Sequence, residues 1–270
     1  MKRVLSVLVA GSMLFAAGCS SSGAGGKSSA PGSSTHASSD NTAAQVVNGT
    51  ITVLAAASLT GAFTTIKAQF EAKYPGVTVV FDFGASSELS TQIDQGKPAD
   101  VFASASTKNM AAVTKAGNAP SPTNFVKNTL EIAVPPKNPG TITSVNDLAK
   151  SGVKVAVCDA AVPCGVVAQK VFDNAKITVK PVARPQDVKA TLALVESGEV
   201  DAGLVYVTDV RAAGAKVKGV VIPANVNAST TYPIATLAKS ANPKTAAMFV
   251  DFVLSPAGQA VLKADGFSQP

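Results

Sequence analysis

The sequence predicts an α/β fold built on largely parallel sheets covered on both faces by helices. Three observations predict it. Short apolar runs alternate with helix-like stripes along the chain beyond residue 48, the pattern of sheets layered with helices. The alternation turns repeatedly on uncharged corners of small residues, most clearly Ala55-Ala56-Ala57-Ser58-Leu59-Thr60 and Phe83-Gly84-Ala85-Ser86-Ser87-Glu88. Trp is absent and aromatics make up 5% of the chain, so the core is expected to be mostly aliphatic.

Taken in order, Ile51-Thr52-Val53-Leu54 reads as the first buried strand, and Phe63, Ile66, Phe70 and Tyr74 as the stripe of the first helix. Val77-Thr78-Val79-Val80-Phe81 is the second strand, and Leu89 and Ile93 mark the helix after it. Asp100-Val101-Phe102-Ala103 is the third strand, followed by a helix around 109–116. The Pro/Asn-rich stretch 118–124 breaks the pattern, and Leu130-Glu131-Ile132-Ala133-Val134 restarts it as a strand. Ser144-Val145-Asn146-Asp147-Leu148 has the signature of a capped short helix. Lys154-Val155-Ala156-Val157 is the next strand and 165–174 the next helix. Val188, Leu192 and Val195 form a helical stripe within 186–197. Gly203-Leu204-Val205-Tyr206 is again a strand, turning toward Thr208-Asp209-Val210. Residues 232–238 read as a strand, and 244–262 as two helices separated by Ser255-Pro256.

The corners carry the chemistry. A helix N-terminus has unpaired backbone N–H groups and a partial positive charge, and a Ser hydroxyl adds a donor. Two such corners facing each other would hold an oxyanion without Lys or Arg. Three more junctions share this character: Ala161-Val162-Pro163-Cys164-Gly165, Arg184-Pro185-Gln186-Asp187-Val188, and Leu204-Val205-Tyr206-Val207-Thr208-Asp209. The last sets a phenol at a strand's carboxyl end, where ligands collect in open α/β sheets. Each residue also has a plainer role: Ser58 and Ser86 as helix N-caps, Val188 as core, Tyr206 as a half-buried strand aromatic. Asp100, Asp159 and Asp209 each lie beside a turn, where Asp commonly caps, and are assigned to structure.

The N-terminus reads as a targeting segment rather than fold. Lys2-Arg3 and the apolar run 4–15 form a signal peptide over 1–18, too short for an ordinary membrane span, and Ala16-Ala17-Gly18 precede Cys19. That order resembles a bacterial lipoprotein signal in which Cys19 is lipidated; an ordinary secretory signal containing Cys19 is the alternative. Residues 19–48, rich in Ser, Gly, Ala and Thr, read as a flexible linker. The formal charge of +6 is spread as single lysines with no basic run among aromatics, which argues against nucleic acid as a partner. In an exported chain Cys158 and Cys164 suggest a disulfide closing a small loop, with two free thiols as the alternative. The one His, His36, falls in the linker, which removes a zinc site and a Ser-His-Asp triad from the folded body.

With these corners in this order, the chain resembles the molybdate-binding, extracytoplasmic solute-binding proteins of ABC importers. The resemblance runs from Ile51 through Gly96-Lys97-Pro98-Ala99-Asp100-Val101-Phe102 and Leu192-Ala193-Leu194-Val195-Glu196 to the C-terminal helices. It implies a two-lobed periplasmic-binding-protein fold of type II with the ligand in the cleft: lobe I from 49–128 plus 229–270, lobe II from 129–228. It implies that Ser58 and Ser86 donate hydroxyls, with Ser87 in place of Ser86 if the alignment slips by one. It further implies that Tyr206 donates its phenol, and that Cys164 and Val188 donate backbone N–H groups. Cys164 stands where such proteins usually carry Ala. The implied function is not enzymatic. The chain would bind molybdate or tungstate, with no cofactor, as a monomer outside the cytoplasmic membrane, held there by the lipid on Cys19. It would deliver the oxyanion to a separate ABC permease and its ATPase subunit; this chain has no Gly-x-x-x-x-Gly-Lys-Ser/Thr loop. The alternatives are the same fold taking sulfate, a tethered interaction protein, or a hydrolase using Ser58.

Overall fold

A computed structural model describes residues 48–270. The signal segment 1–18, Cys19, His36 and the linker up to residue 47 lie outside the described residues.

The first half of the molecule grows from β1 (Gly49–Ala56), which pairs in parallel with β2 (Val77–Gly84) on one side and β3 (Val101–Ala103) on the other. Parallel neighbours need crossovers, and α1 (Thr60–Lys73) and α2 (Ser86–Asp94) supply them, as the stripes at Phe63/Ile66/Phe70 and Leu89/Ile93 predict. α3 (Thr107–Lys115) follows β3, with Ser106 accepting the Asn109 N–H as its cap.

The expectation of largely parallel sheets needs correction: among the described residues four of the seven strand pairings are antiparallel. The cause is two long strands. β4 (Thr123–Val134) and β8 (Ser229–Thr236) run against their neighbours. β4 changes partners along its length. Thr123–Thr129 pairs with β8, while Leu130–Val134 pairs with β6 (Ala202–Tyr206) and β7 (Lys218–Val221). β5 (Val155–Ala156) adds to β6 in parallel. The resulting strand order is β2-β1-β3-β8-β4-β6-β5, with β7 on β4. From sequence this strand begins near Leu130, because Lys127, Asn128 and Thr129 are polar and a register shift between Asn124 and Val126 lets the neighbours Phe125 and Val126 both be buried. β7 is not apparent from sequence.

The cores separate along the change of partner. One cluster gathers Ile51, Phe63, Phe70, Tyr232, Phe249 and Leu262; another gathers Leu130, Ile132, Val155, Val171, Val195 and Leu204. The second is mostly aliphatic as expected, with Phe172 and Tyr206 as exceptions. The first is not: Phe70 and Phe249 meet edge to face at 5.3 Å, with Phe63 and Phe252 beside them, the arrangement ring quadrupoles favour. Most of the aromatics among the described residues are thus concentrated in one place. α7 (Pro243–Leu254) and α8 (Pro256–Asp265) are parted by Ser255, which caps α8, and they complete this core. α4 (Pro163–Ala175), α5 (Val188–Glu196) and α6 (Val207–Ala213) cover the other. Among the described residues no single helix is long and apolar enough to cross a membrane.

Candidate functional site

Ser58, Ser86, Cys164, Val188 and Tyr206 all line one cavity. They come from five corners widely separated in the chain, and each corner stands where a strand or loop gives way to a helix. The free volume is about 20 Å³, slightly more than the ~10–15 Å³ one water requires on that measure. Only a compact group fits. Ser87 does not line the cavity, so the hydroxyl there is Ser86.

Neither Ser caps its helix. The N-cap position of α2 is Ala85, and Ser86 is the first helical residue, its Oγ accepting the Ala105 N–H at 2.8 Å. With the oxygen acting as acceptor there, the Ser86 hydroxyl hydrogen is available to the cavity. Ser58 lies in a 3-10 turn, Ala57–Leu59, and its Oγ is 2.8 Å from the Tyr232 hydroxyl. A Tyr232 that donates to Ser58 frees the Ser58 hydrogen in the same way. Tyr232 is fully buried, and sequence reasoning missed it. The two partners are 174 residues apart, and within β8 it reads as an ordinary strand aromatic.

Tyr206 occupies the N-cap position of α6 and is 1% exposed, and its hydroxyl has no hydrogen-bond partner among the described residues. Leaving a buried hydroxyl unpaired costs about 1–3 kcal/mol, so this group asks for an acceptor in the cavity. Burial raises its pKa well above the ordinary 10.0, with Tyr232 and Asp209 nearby adding to the shift. The phenol is therefore a neutral donor.

The remaining donors are backbone. Cys164 is the second residue of α4 and Val188 the first of α5, so both N–H groups lie in turns with no intrahelical acceptor. Val188 keeps its side chain in the core. The Cys164 side chain is tied back to Cys158 by a disulfide, with 5.8 Å between the Cα atoms. Among the described residues no Lys or Arg lines the cavity. The one charged residue there, Asp187, also escaped sequence reasoning; its Oδ1 accepts the Ala190 N–H at 2.8 Å as the cap of α5. Asp100 and Asp159 serve structure as expected. Asp100 accepts from the Thr52 N–H and the Ser240 hydroxyl, and Asp159 accepts from the Ala161 N–H.

Helix N-termini, hydroxyls and amides converging on one cavity complement a small anion bearing only acceptors. The disulfide closes a short loop under one of these donors. Reducing it is expected to cost about 2 kcal/mol of stability, in line with a short loop, and to weaken anion binding. Melting curves and titrations with and without reductant check both effects.

The family model described as bacterial extracellular solute-binding protein matches residues 51–268. A molybdate-binding protein ModA of Mycobacterium bovis is 44% identical over 221 residues, covering 82% of this chain and 85% of the relative. Among solved structures, the periplasmic molybdate-binding protein of Azotobacter vinelandii aligns with a TM-score of 0.74 at 23% identity, covering 82% of this chain and 99% of that one. The sulfate-binding protein SubI from Mycobacterium tuberculosis aligns at 0.71 and 22% identity, covering 82% and 87%. The two structural likenesses speak to fold alone and do not choose between the oxyanions.

Proposed function

Because the chain belongs to the bacterial extracellular solute-binding proteins, we propose that it binds molybdate outside the cytoplasmic membrane and delivers it to the permease of an ABC importer. The observation that carries this reading is the unpaired Tyr206 hydroxyl, set in a cavity whose other groups are Ser hydroxyls and helix-start amides. The identity to a molybdate-binding relative supports molybdate over other oxyanions. In the same reading Ser58, Ser86 and Tyr206 bind through side chains, and Cys164 and Val188 through backbone N–H groups. The cavity lies between lobe I (49–128 with 229–270) and lobe II (129–228). Tungstate is a second ligand, the chain acts as a monomer and a carrier rather than an enzyme, and Cys19 carries the lipid that tethers it. A hydrolase reading of Ser58 finds no His beyond His36 to act as base.

The donors account for selectivity. Hydrogen phosphate brings a proton that needs an acceptor; leaving it unpaired costs about 1–3 kcal/mol, roughly one to two decades of affinity. Sulfate presents acceptors only, so its exclusion falls to distance, and rigid helix-start amides hold fixed distances better than Lys or Arg side chains. Thermal shifts with molybdate, tungstate, sulfate and phosphate test the reading, since a ligand that binds only the folded state raises its melting temperature. Molybdate and tungstate should give large shifts and phosphate almost none; equal shifts for all four contradict it.

The same chemistry sets a pH profile. An ionised Tyr206 would lose its proton as donor and face the dianion with a like charge. Because burial raises the phenol above its ordinary 10.0, binding is expected to stay level from neutral pH to about 10 and to fall only above it. Stability follows the same sign. The contribution is complete below the unfolded value near 10 and is lost at higher pH, as unfolded Tyr ionises while the folded phenol stays neutral. Titrations across pH 7 to 11 check the profile.

A further inference from the structure

The cavity itself does little to attract a dianion from a distance. Among the described residues its one charged group is the Asp187 carboxylate, and the favourable field of a helix N-terminus fades within a turn. Donors that hold an anion at contact therefore contribute little to bringing it in. Positive charge for capture has to stand outside the cavity.

A second hollow adjoins it. Pro163 lines both, and the Thr230 hydroxyl, on the hollow, donates at 2.6 Å to the carbonyl oxygen of Ala105, which lines the cavity. The hollow has a free volume of about 390 Å³ against about 20 Å³ in the cavity. One water requires ~10–15 Å³ on that measure, so the hollow has room for an oxyanion with its hydration shell, whereas the cavity admits only the stripped ion. α3 and α4 flank the hollow, and both pack on β8, whose first residues, Ser229-Thr230-Thr231, line it as well.

Each of the two helices brings one lysine to the hollow, Lys108 from α3 and Lys170 from α4. Both are exposed, and neither forms an ion pair among the described residues, whereas Lys67, Lys97, Lys150, Lys189 and Lys216 do. Among the described residues no Asp or Glu lines the hollow. Asp159 and Asp173, on either side of Lys170 in the chain, accept instead from the Ala161 N–H and the Gln169 amide. Lys108 is also poorly placed for its own helix, since an ammonium in the first turn opposes the helix dipole.

We propose that this hollow is a capture vestibule: Lys108 and Lys170 draw in the hydrated dianion, which then passes, stripped of water, into the uncharged donors of the cavity. The inference rests on the oxyanion reading of the cavity and adds to it the step before binding. Charge sets the rate of capture, and neutral donors at fixed distances set selection and retention. Charges at the rim of a binding surface act in this way, on association and its salt dependence.

The test uses the full chain carrying Lys108→Gln with Lys170→Gln. As a control, Lys239→Gln with Lys244→Gln removes the same charge at the far end of β1, where the Asn242 side chain donates to the Thr50 carbonyl oxygen. Stopped-flow mixing with molybdate is followed by tyrosine fluorescence, with Tyr206 in the cavity as reporter. At low salt the vestibule pair should associate about tenfold more slowly than wild type, the lower end of what steering supplies. Its dissociation rate, and both rates of the control pair, should match wild type. At about 1 M salt, where the screening length falls to ~3 Å, all three proteins should associate at one rate. Equal association of the vestibule pair and wild type at low salt overturns the proposal, as does equal slowing of both pairs. Faster dissociation as the only change also overturns it, because the lysines would then hold the bound ion. A wild-type chain that binds no oxyanion overturns the reading of the cavity and the vestibule with it; a wild-type chain that binds while the vestibule pair is unaltered overturns the vestibule alone.

Discussion

Replacing Tyr206 by Phe is expected to weaken molybdate binding by about one to two decades while leaving the ligand-free protein as stable as before, or slightly more so. The two halves of this result have one cause. The Tyr206 hydroxyl is buried without a partner among the described residues, so the folded chain alone carries its desolvation cost, and Phe relieves it. Once an anion fills the cavity, the same hydroxyl makes a hydrogen bond to a charged group, worth about 1.5–3 kcal/mol, or one to two decades in Kd. An ordinary core tyrosine behaves the other way, losing stability and leaving binding alone. Calorimetric titration together with a melting curve of the same variant distinguishes the two.

Gly165→Ala is expected to cost more than any change that merely removes a donor. Gly165 is the third residue of α4, directly after Cys164. A Cβ there would run into the Asp159 carbonyl oxygen and lie 2.8 Å from the Cys158 carbonyl oxygen. Both obstacles are backbone, and the loop holding them is closed by the disulfide, so it cannot easily yield. Overpacking of this kind costs about 1–3 kcal/mol and sometimes more. Relief requires α4 to shift, which carries the Cys164 N–H away from the cavity and should cost a further two decades or so in affinity. Gly84 is the comparison. It borders the same cavity, but a Cβ there meets only Leu89, at 3.7 Å, so Gly84→Ala should melt close to wild type. Denaturant melts of the two variants provide the contrast.

Much of this was legible along the chain because it is local. The stripe at Phe63, Ile66 and Phe70 announces α1, Ser255-Pro256 parts α7 from α8, and small residues with hydroxyls mark the corners at Ser58 and Ser86. The five corners meet at one cavity, an arrangement that came from resemblance to a family and not from periodicity. What was missed is non-local. Tyr232 supports Ser58 from β8, Ala105 supports Ser86 from the end of β3, and Lys189 supports Asp209 from the neighbouring helix. Each looks unremarkable in its own segment. The antiparallel pairings were missed for a related reason. β4 serves both halves of the sheet, and its polar middle, Lys127-Asn128-Thr129, reads as a loop until its partners are seen.

The central claim is that this cavity selects a tetrahedral oxyanion with uncharged donors. The most direct measurement is calorimetric titration of the ligand-stripped protein with molybdate, tungstate, sulfate and phosphate in turn. The account predicts tight, one-to-one binding of molybdate and tungstate, with sulfate weak and phosphate weaker still. Tight sulfate binding with weak molybdate, or no binding by any of the four, would contradict it.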